Sequence, residues 1–168
     1  MGKSHYEIAK NEIKNKNFQK AVNALNKAIE KEPQNPIYYS DRGVCYYHLE
    51  MKKQSLADMN KSVELDPEYS YRYSSRAYIK DSMGDIKGAI EDYEKAVKLD
   101  PDDAVAYNNL GLLQEKMGYM QQSKANFEKA DGLAKILEDT GIDYNNELKP
   151  TNIQKEIDKE NKNLTTKK

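Results

Sequence analysis

Tryptophan is absent from this chain of 168 residues, phenylalanine and histidine occur twice each, and cysteine occurs once. A single cysteine excludes an intrachain disulfide and a cysteine-rich zinc site. No run approaches the roughly 18 consecutive apolar residues that a membrane span needs. The start, Met1-Gly2-Lys3-Ser4-His5-Tyr6, has no apolar signal-peptide core. A cytoplasmic protein with no membrane partner is the expectation. Neither sign of charge is in excess: 27 Lys plus Arg face 28 Asp plus Glu, a net charge of -1. There is thus no field to draw in nucleic acid or an anionic bilayer. A hydrophobic share of 38% and a mean hydropathy of -1.00 are thin for one large central core, which disfavours a big α/β enzyme. The one abundance is tyrosine, present 13 times.

The few prolines supply a ruler. Pro33, Pro67 and Pro101 are spaced 34 residues apart, two of them in the similar contexts Glu64-Leu65-Asp66-Pro67 and Lys98-Leu99-Asp100-Pro101. On that period small residues align as Ala9, Gly43, Ala77, Gly111, as Ala21, Ser55, Ala89, Ser123, and as Ala28, Ser62, Ala96, Ala130. Large apolar residues align as Leu25, Met59, Tyr93, Phe127 and as Val22, Leu56, Ile90, the last column broken by Lys124. Within a unit the spacing is helical, as in Val22, Leu25, Ala28, Ile29. Met83-Gly84-Asp85 and Met117-Gly118-Tyr119 mark a turn between two helices, with Gly where a positive φ costs little. Asp85 and Asn17 are expected N-caps, and proline closes each unit.

A 34-residue helix-turn-helix period with these small-residue columns resembles the tetratricopeptide repeat family. The resemblance covers four units, 2–35, 36–69, 70–103 and 104–137. It implies an all-α, right-handed superhelical solenoid. The first unit departs from the pattern with His5 where the others have Tyr39, Tyr73 and Tyr107, and the fourth has Lys135 in place of proline. Its second helix is therefore expected to run on through Leu133, Ile136 and Leu137. In the extension 138–168, Thr151 to Gln154 matches a capping box, and Ile153, Ile157 and Leu164 share a helical face. That segment reads either as a capping helix or as a flexible charged tail.

Catalytic candidates are few. Cys45 and His48 stand one helical turn apart, a spacing that could pair a nucleophile with a base or two metal ligands. Cys45 shares its repeat column with Ile79 and Leu113, so a buried, inert thiol is expected instead. No phosphate loop, G-x-S-x-G or H-E-x-x-H motif occurs. The expectation is a protein that is no enzyme and takes no cofactor or metal. Arg42 and Arg76 share a column with Ile8 and Leu110, which points to packing or ion pairing and not to a stripe that binds nucleic acid.

The resemblance implies that the first helices line a concave groove holding a peptide or helix of a partner protein. The matching positions are Lys3, Tyr6, Glu7, Lys10 and Lys14 in the first unit, then Ile37, Ser40, Asp41, Val44, Tyr47 and His48 in the second. The third contributes Tyr71, Ser74, Ser75, Tyr78, Asp81 and Ser82, and the fourth Val105, Asn108, Asn109, Leu112, Glu115 and Lys116. Tyr39, Tyr73, Tyr93 and Tyr107 fall in packing columns, whereas Tyr6, Tyr47, Tyr71 and Tyr78 fall on the groove face.

One group within the family clamps the C-terminal carboxylate of heat-shock chaperones with Lys, Asn and Arg. The positions here are Tyr6, Lys10, Asp41, Tyr71 and Ser75 or, one unit on, Ser40, Val44, Ser75, Val105 and Asn109. Only Asn109 matches, and by residue type alone, so that clamp is missing and an acidic chaperone tail is not the expected ligand. The sequence points to a non-catalytic adaptor for another protein. The alternative is a self-associating module, a homo-oligomer joined through the C-terminal helix. An enzyme built on Cys45 and His48 is the remote third.

Overall fold

Eight helices follow one another through residues 4–139, the part of the chain that the structure, a computed structural model, describes. They are α1 (His5–Lys14), α2 (Phe18–Lys31), α3 (Pro36–His48), α4 (Lys52–Leu65), α5 (Ser70–Ser82), α6 (Ile86–Leu99), α7 (Ala104–Lys116) and α8 (Met120–Asp139). No strand occurs among the described residues. Each helix packs on its neighbours in sequence, most extensively within the pairs α1/α2, α3/α4, α5/α6 and α7/α8. The result is a helical solenoid whose apolar interior is a string of local clusters. As the missing proline implied, α8 is the longest helix and continues past Lys135. The capping box at Thr151 and the Ile153, Ile157, Leu164 face lie outside the described residues.

Helix starts follow their local chemistry. Ser4 and Glu7 form a reciprocal capping box on α1, Asn35 caps α3 ahead of Pro36, and Asp103 accepts from the Val105 and Ala106 amides. Asp85 caps α6 as expected, accepting from the Gly88 amide. Asn17 stands at the α2 N-cap but does not cap it. Its side-chain nitrogen donates to the Glu12 carboxylate at 2.8 Å, a charge-assisted bond that ties the side chain to the end of α1.

The turns inside the pairs repeat one backbone device. Gly84 and Gly118 take φ of 84° and 81°, and the residues one and two periods earlier, Glu50 and Lys16, take 60° and 58°. The left-handed conformation persists at all four positions because the register of the pair demands it, although only two of them hold the residue for which it is free of strain.

Small residues let the paired helices approach. Ala9, Ala21, Ala77, Ala89 and Ser55 are fully buried. A Cβ on Gly43 would lie 3.0 Å from the Met59 methyl and 3.3 Å from the Ser55 carbonyl, and one on Gly111 would lie 2.8 Å from the Phe127 ring.

Polar groups form a second lattice. Arg42 grips Asp58 through two bonds of 2.7 Å and donates to Asn26 at 2.8 Å. Arg76, 34 residues on, repeats this with Asp92 at 2.8 and 2.7 Å and Asn60 at 3.1 Å. Lys80 adds an ion pair to Asp92 at 2.8 Å. The arginine column thus ion-pairs, as its mixed composition suggested. Arg72, by contrast, stands where the other units have Tyr38 and Ala106, yet its side chain is 1% exposed. Its guanidinium donates to Ser40 and Ser62 at 2.8 and 3.0 Å and pairs with Asp66 at 3.1 Å.

Cys45 is fully buried in the first cluster, with Ala9, Leu25 and Tyr38. His48 is exposed and stacks on Phe18, ring centroids 4.3 Å apart and 10° from parallel. The thiol and imidazole therefore occupy separate environments. Burial, with a smaller contribution from Asp41, pushes the Cys45 thiol up to about 12.

Two predictions follow from the backbone and the core. Glu50→Gly should raise stability by about 0.5–1 kcal/mol, because relief of left-handed strain exceeds the entropy cost of glycine, whereas Gly84→Ala should lower it by about 1 kcal/mol. Urea titration reads both, and a stabilising Gly84→Ala would contradict the turn assignment. A maleimide at neutral pH should label Cys45 only as the chain unfolds. Because the folded thiol holds its proton well above the ordinary value of 9.0, the stability it contributes is complete below that value and is lost as the pH rises toward 12.

Candidate functional site

The first helices of successive pairs share one face, and between α3, α5 and α7 that face opens into a cleft of about 300 Å³. Its walls come from Val44, Tyr47 and His48 on α3, Tyr71, Ser74, Ser75 and Tyr78 on α5, and Val105 and Asn109 on α7. Met59 from α4, Ile79 from α5 and Tyr93 from α6 also line it, and these three are buried. They form an apolar floor beneath walls of which Tyr71, Tyr78 and Val105 are 39%, 52% and 52% exposed.

Nine of the sequence-derived candidates meet here: Val44, Tyr47, His48, Tyr71, Ser74, Ser75, Tyr78, Val105 and Asn109. Of the others, Lys3 lies outside the described residues and the rest lie outside the cleft lining. Tyr6 is half-buried, donates to Asp41 at 3.0 Å and packs against Tyr38 with ring centroids 4.8 Å apart. Asp41 is itself buried, and Lys10 lies over the Tyr6 ring at 5.1 Å. Those three groups close the space between α1 and α3. Ile37 packs on the first apolar cluster, while Asn108 and Leu112 project outward from α7.

The tyrosines divide by contact. Tyr39 and Tyr73 each donate to the carbonyl of the proline six residues back, Pro33 and Pro67, both at 3.0 Å. They thereby tie a first helix to the turn that precedes it. Tyr107 is half-buried beside Lys129. Tyr93 belongs to a packing column and also to the cleft floor, where Asn109 donates to its hydroxyl at 3.2 Å. Burial, more than the nearby carboxylates of Asp81 and Asp103, raises its phenol to about 12.

At the cleft mouth Tyr47 donates to the Tyr78 hydroxyl at a long 3.3 Å, with the rings edge to face at 5.3 Å. This bond, helped by burial and by the charges of Glu50 and Asp81, raises the Tyr47 phenol to about 12. A hydrogen bond of that length is weak, so the pair can part for an incoming group. Met59, Ile79 and Tyr93 were invisible as site residues because their columns read as core. The floor of a solenoid cleft is core seen from outside. Among the described residues no group of three or more His, Cys, Asp or Glu could hold a metal ion, and no helix is long and apolar enough to cross a membrane.

Comparison with known proteins agrees with the geometry. Two models described as tetratricopeptide repeat match residues 6–70 and 104–136, and a third, described as TPR repeat, matches residues 82–118. No curated protein matches the sequence. The crystal structure of MamA is similar over 80% of this chain and 79% of that one, with 22% identity and a TM-score of 0.77. The first TPR of Spaghetti (RPAP3), bound to the HSP90 peptide SRMEEVD, is similar over 68% and 90%, with 24% identity and a TM-score of 0.66. The Arabidopsis OM64 TPR domain gives 67% and 93%, 26% identity and a TM-score of 0.64. With matching models at both ends of the stack and an eight-helix solenoid between them, the chain belongs to the tetratricopeptide repeat family.

Proposed function

We propose that this chain is a non-catalytic adaptor of four repeats, 2–35, 36–69, 70–103 and 104–137, with an extension at 138–168, and that a peptide or helix of a partner protein seats in the cleft between α3, α5 and α7. The observation that carries this reading is the concentration of exposed apolar and aromatic groups on one face. Tyr71, Tyr78 and Val105 are 39%, 52% and 52% exposed there, around a preformed hollow with a buried apolar floor. A contiguous patch of this kind on a rigid scaffold is the usual mark of a recognition surface. Tyrosine suits it, offering contact area with few rotors and a hydroxyl for hydrogen bonding.

The chemistry around the cleft does not favour a C-terminal carboxylate as ligand. Of the positions that would form a clamp, Asp41 carries the wrong charge and already accepts from Tyr6, Lys10 is engaged with the Tyr6 ring, and Tyr71 and Ser75 are neutral. Ser40 is buried in the Ser62 and Arg72 network, and Val44 and Val105 are apolar. The segment bound by this reading is internal and carries apolar side chains for the hollow.

Peptides selected from a random library on the folded protein should lose at least about tenfold in affinity on Tyr78→Ala and on Val105→Asp, each substitution removing an anchor contact. Glu94→Ala, on the exposed side of α6, should leave binding unchanged, and circular dichroism should show the same helix content in all three. Peptides that bind the first two variants as well as the parent would place the site elsewhere.

A further inference from the structure

The cleft lining itself carries no Lys, Arg, Asp or Glu, but the cations of the two helices α3 and α5 that flank it are all engaged elsewhere. Helices α3 and α5 carry four Lys or Arg residues, and each is drawn into the stack: Arg42 to Asp58, Arg72 to Asp66, and Arg76 and Lys80 to Asp92. Every one of those acids lies on a second helix or just after it. Asp41 of α3 is buried and bonded to Tyr6, which leaves Asp81 of α5 as the exposed charge beside the cleft, with Glu50 and Asp103 at the adjoining helix ends. The units containing α3 and α5 each have a formal net charge of -2, from residues 36–69 and 70–103.

Asp81 is the accessible member of this group. It lies one helical turn beyond Tyr78 on α5, and its side chain is 37% exposed. It pairs with Lys116 at a loose 3.7 Å, and the Lys116 side chain is 62% exposed. An exposed ion pair of that length contributes little and exchanges readily. Beside it Tyr78 is 52% exposed, and a tyrosine ring draws a cation to its face. The fold already uses that attraction internally, with Arg42 over Tyr39 and Tyr46, Arg72 over Tyr69 and Arg76 over Tyr73, all within 5.7 Å.

We propose that the segment recognised here is a cationic one, whose Lys or Arg side chain lies against Tyr78 and Tyr47 beside Asp81 while its apolar neighbours fill the hollow above Met59 and Ile79. This rests on the cleft being the binding site proposed above and adds the chemical class of the partner. Lys116 then acts as a gate that the partner's cation displaces. An acidic segment would meet Asp81 and Glu50 with no unengaged cation on α3 or α5 to receive it, and to use Lys116 of α7 it would have to take that cation from Asp81.

The test pans the full chain against a random peptide library displayed internally, without free C-termini. Selected sequences should be enriched in Lys and Arg among apolar residues and depleted of Asp and Glu. For synthetic versions of them, Asp81→Asn should weaken binding about three- to tenfold and Lys116→Ala should strengthen it about twofold or more, as expected for charges at a partly exposed aromatic site. Selected peptides that are acidic or uncharged but still need Tyr78 would overturn the cationic proposal and leave the cleft assignment standing. Binding indifferent to Tyr78→Ala would overturn both.

Two other occupants are checked in the same series. Residues 149–168 of this chain hold six Lys against three Asp or Glu, and a synthetic peptide of that sequence serves as competitor. If it binds Tyr78-dependently and more tightly than any selected peptide, the occupant is the chain's own end and the proposal of a separate partner fails. A Tyr78-dependent dimer seen by sedimentation would likewise replace the partner with a second copy.

Discussion

The close approach of the two helices in each pair is the constraint on which everything else depends. At the crossing of α3 with α4 a methyl group on Gly43 would crowd Met59 and the Ser55 carbonyl, and at the crossing of α7 with α8 the Phe127 ring fills the same place over Gly111. Ala9 and Ala77 serve the other two pairs, fully buried. Such contact leaves little freedom in how one helix returns along the other. The turn between them must then have a fixed shape, which is why the left-handed residue appears at Lys16, Glu50, Gly84 and Gly118 alike. Glycine eases the strain at two of these positions, and at the other two the packing of the pair overrides the preference of the side chain.

Between pairs the joint is more polar. The bidentate links Arg42 to Asp58 and Arg76 to Asp92 lie within a pair, while the third donor of each arginine reaches back to Asn26 and Asn60 on the preceding second helix. Each guanidinium therefore fixes three helices at once. Burying a guanidinium is tolerable only when its donors are matched in this way, and Arg72 shows the extreme case, with two serine hydroxyls, Asp66 and the Tyr69 ring around a group that is almost wholly inaccessible. One effect of this lattice is structural rigidity. The other is the withdrawal of the cations of α3 and α5 into the stack, so that a chain with balanced composition leaves Asp81 exposed on that stretch of the first-helix face.

The sequence revealed what depends on period. Three in-phase prolines and the small-residue columns pointed to the helix pairs, the close contacts, the Gly84 and Gly118 turns and the length of α8, because each of these is a repeated demand on residue size or backbone shape. Nine cleft residues were found for the same reason, since a groove face is a fixed set of positions in every repeat. What escaped was set by contacts between units, which no period encodes. Arg72 occupies a column of otherwise unrelated residues and is buried only because Ser40, Ser62 and Asp66 converge on it. Tyr6 and Asp41 were read as groove residues, yet each finds the other across 35 positions of chain. Asn17 was read from its type alone, and the carboxylate of Glu12 claimed its side chain.

Those same departures from the period explain why the stack opens where it does. Between α1 and α3 the face is filled, because Tyr6 packs on Tyr38 and reaches Asp41. In the third unit the position of Tyr6 is taken by Ser74 and that of the neighbouring Glu7 by Ser75, and two small side chains leave the hollow that Val44, Tyr78 and Val105 surround. The helices are held at repeat spacing by the buried columns and by the arginine lattice, so they do not collapse to fill it. The cleft is thus a consequence of unequal side chains on an equal backbone. A regular scaffold acquires a specific site when one unit carries serine where another carries tyrosine.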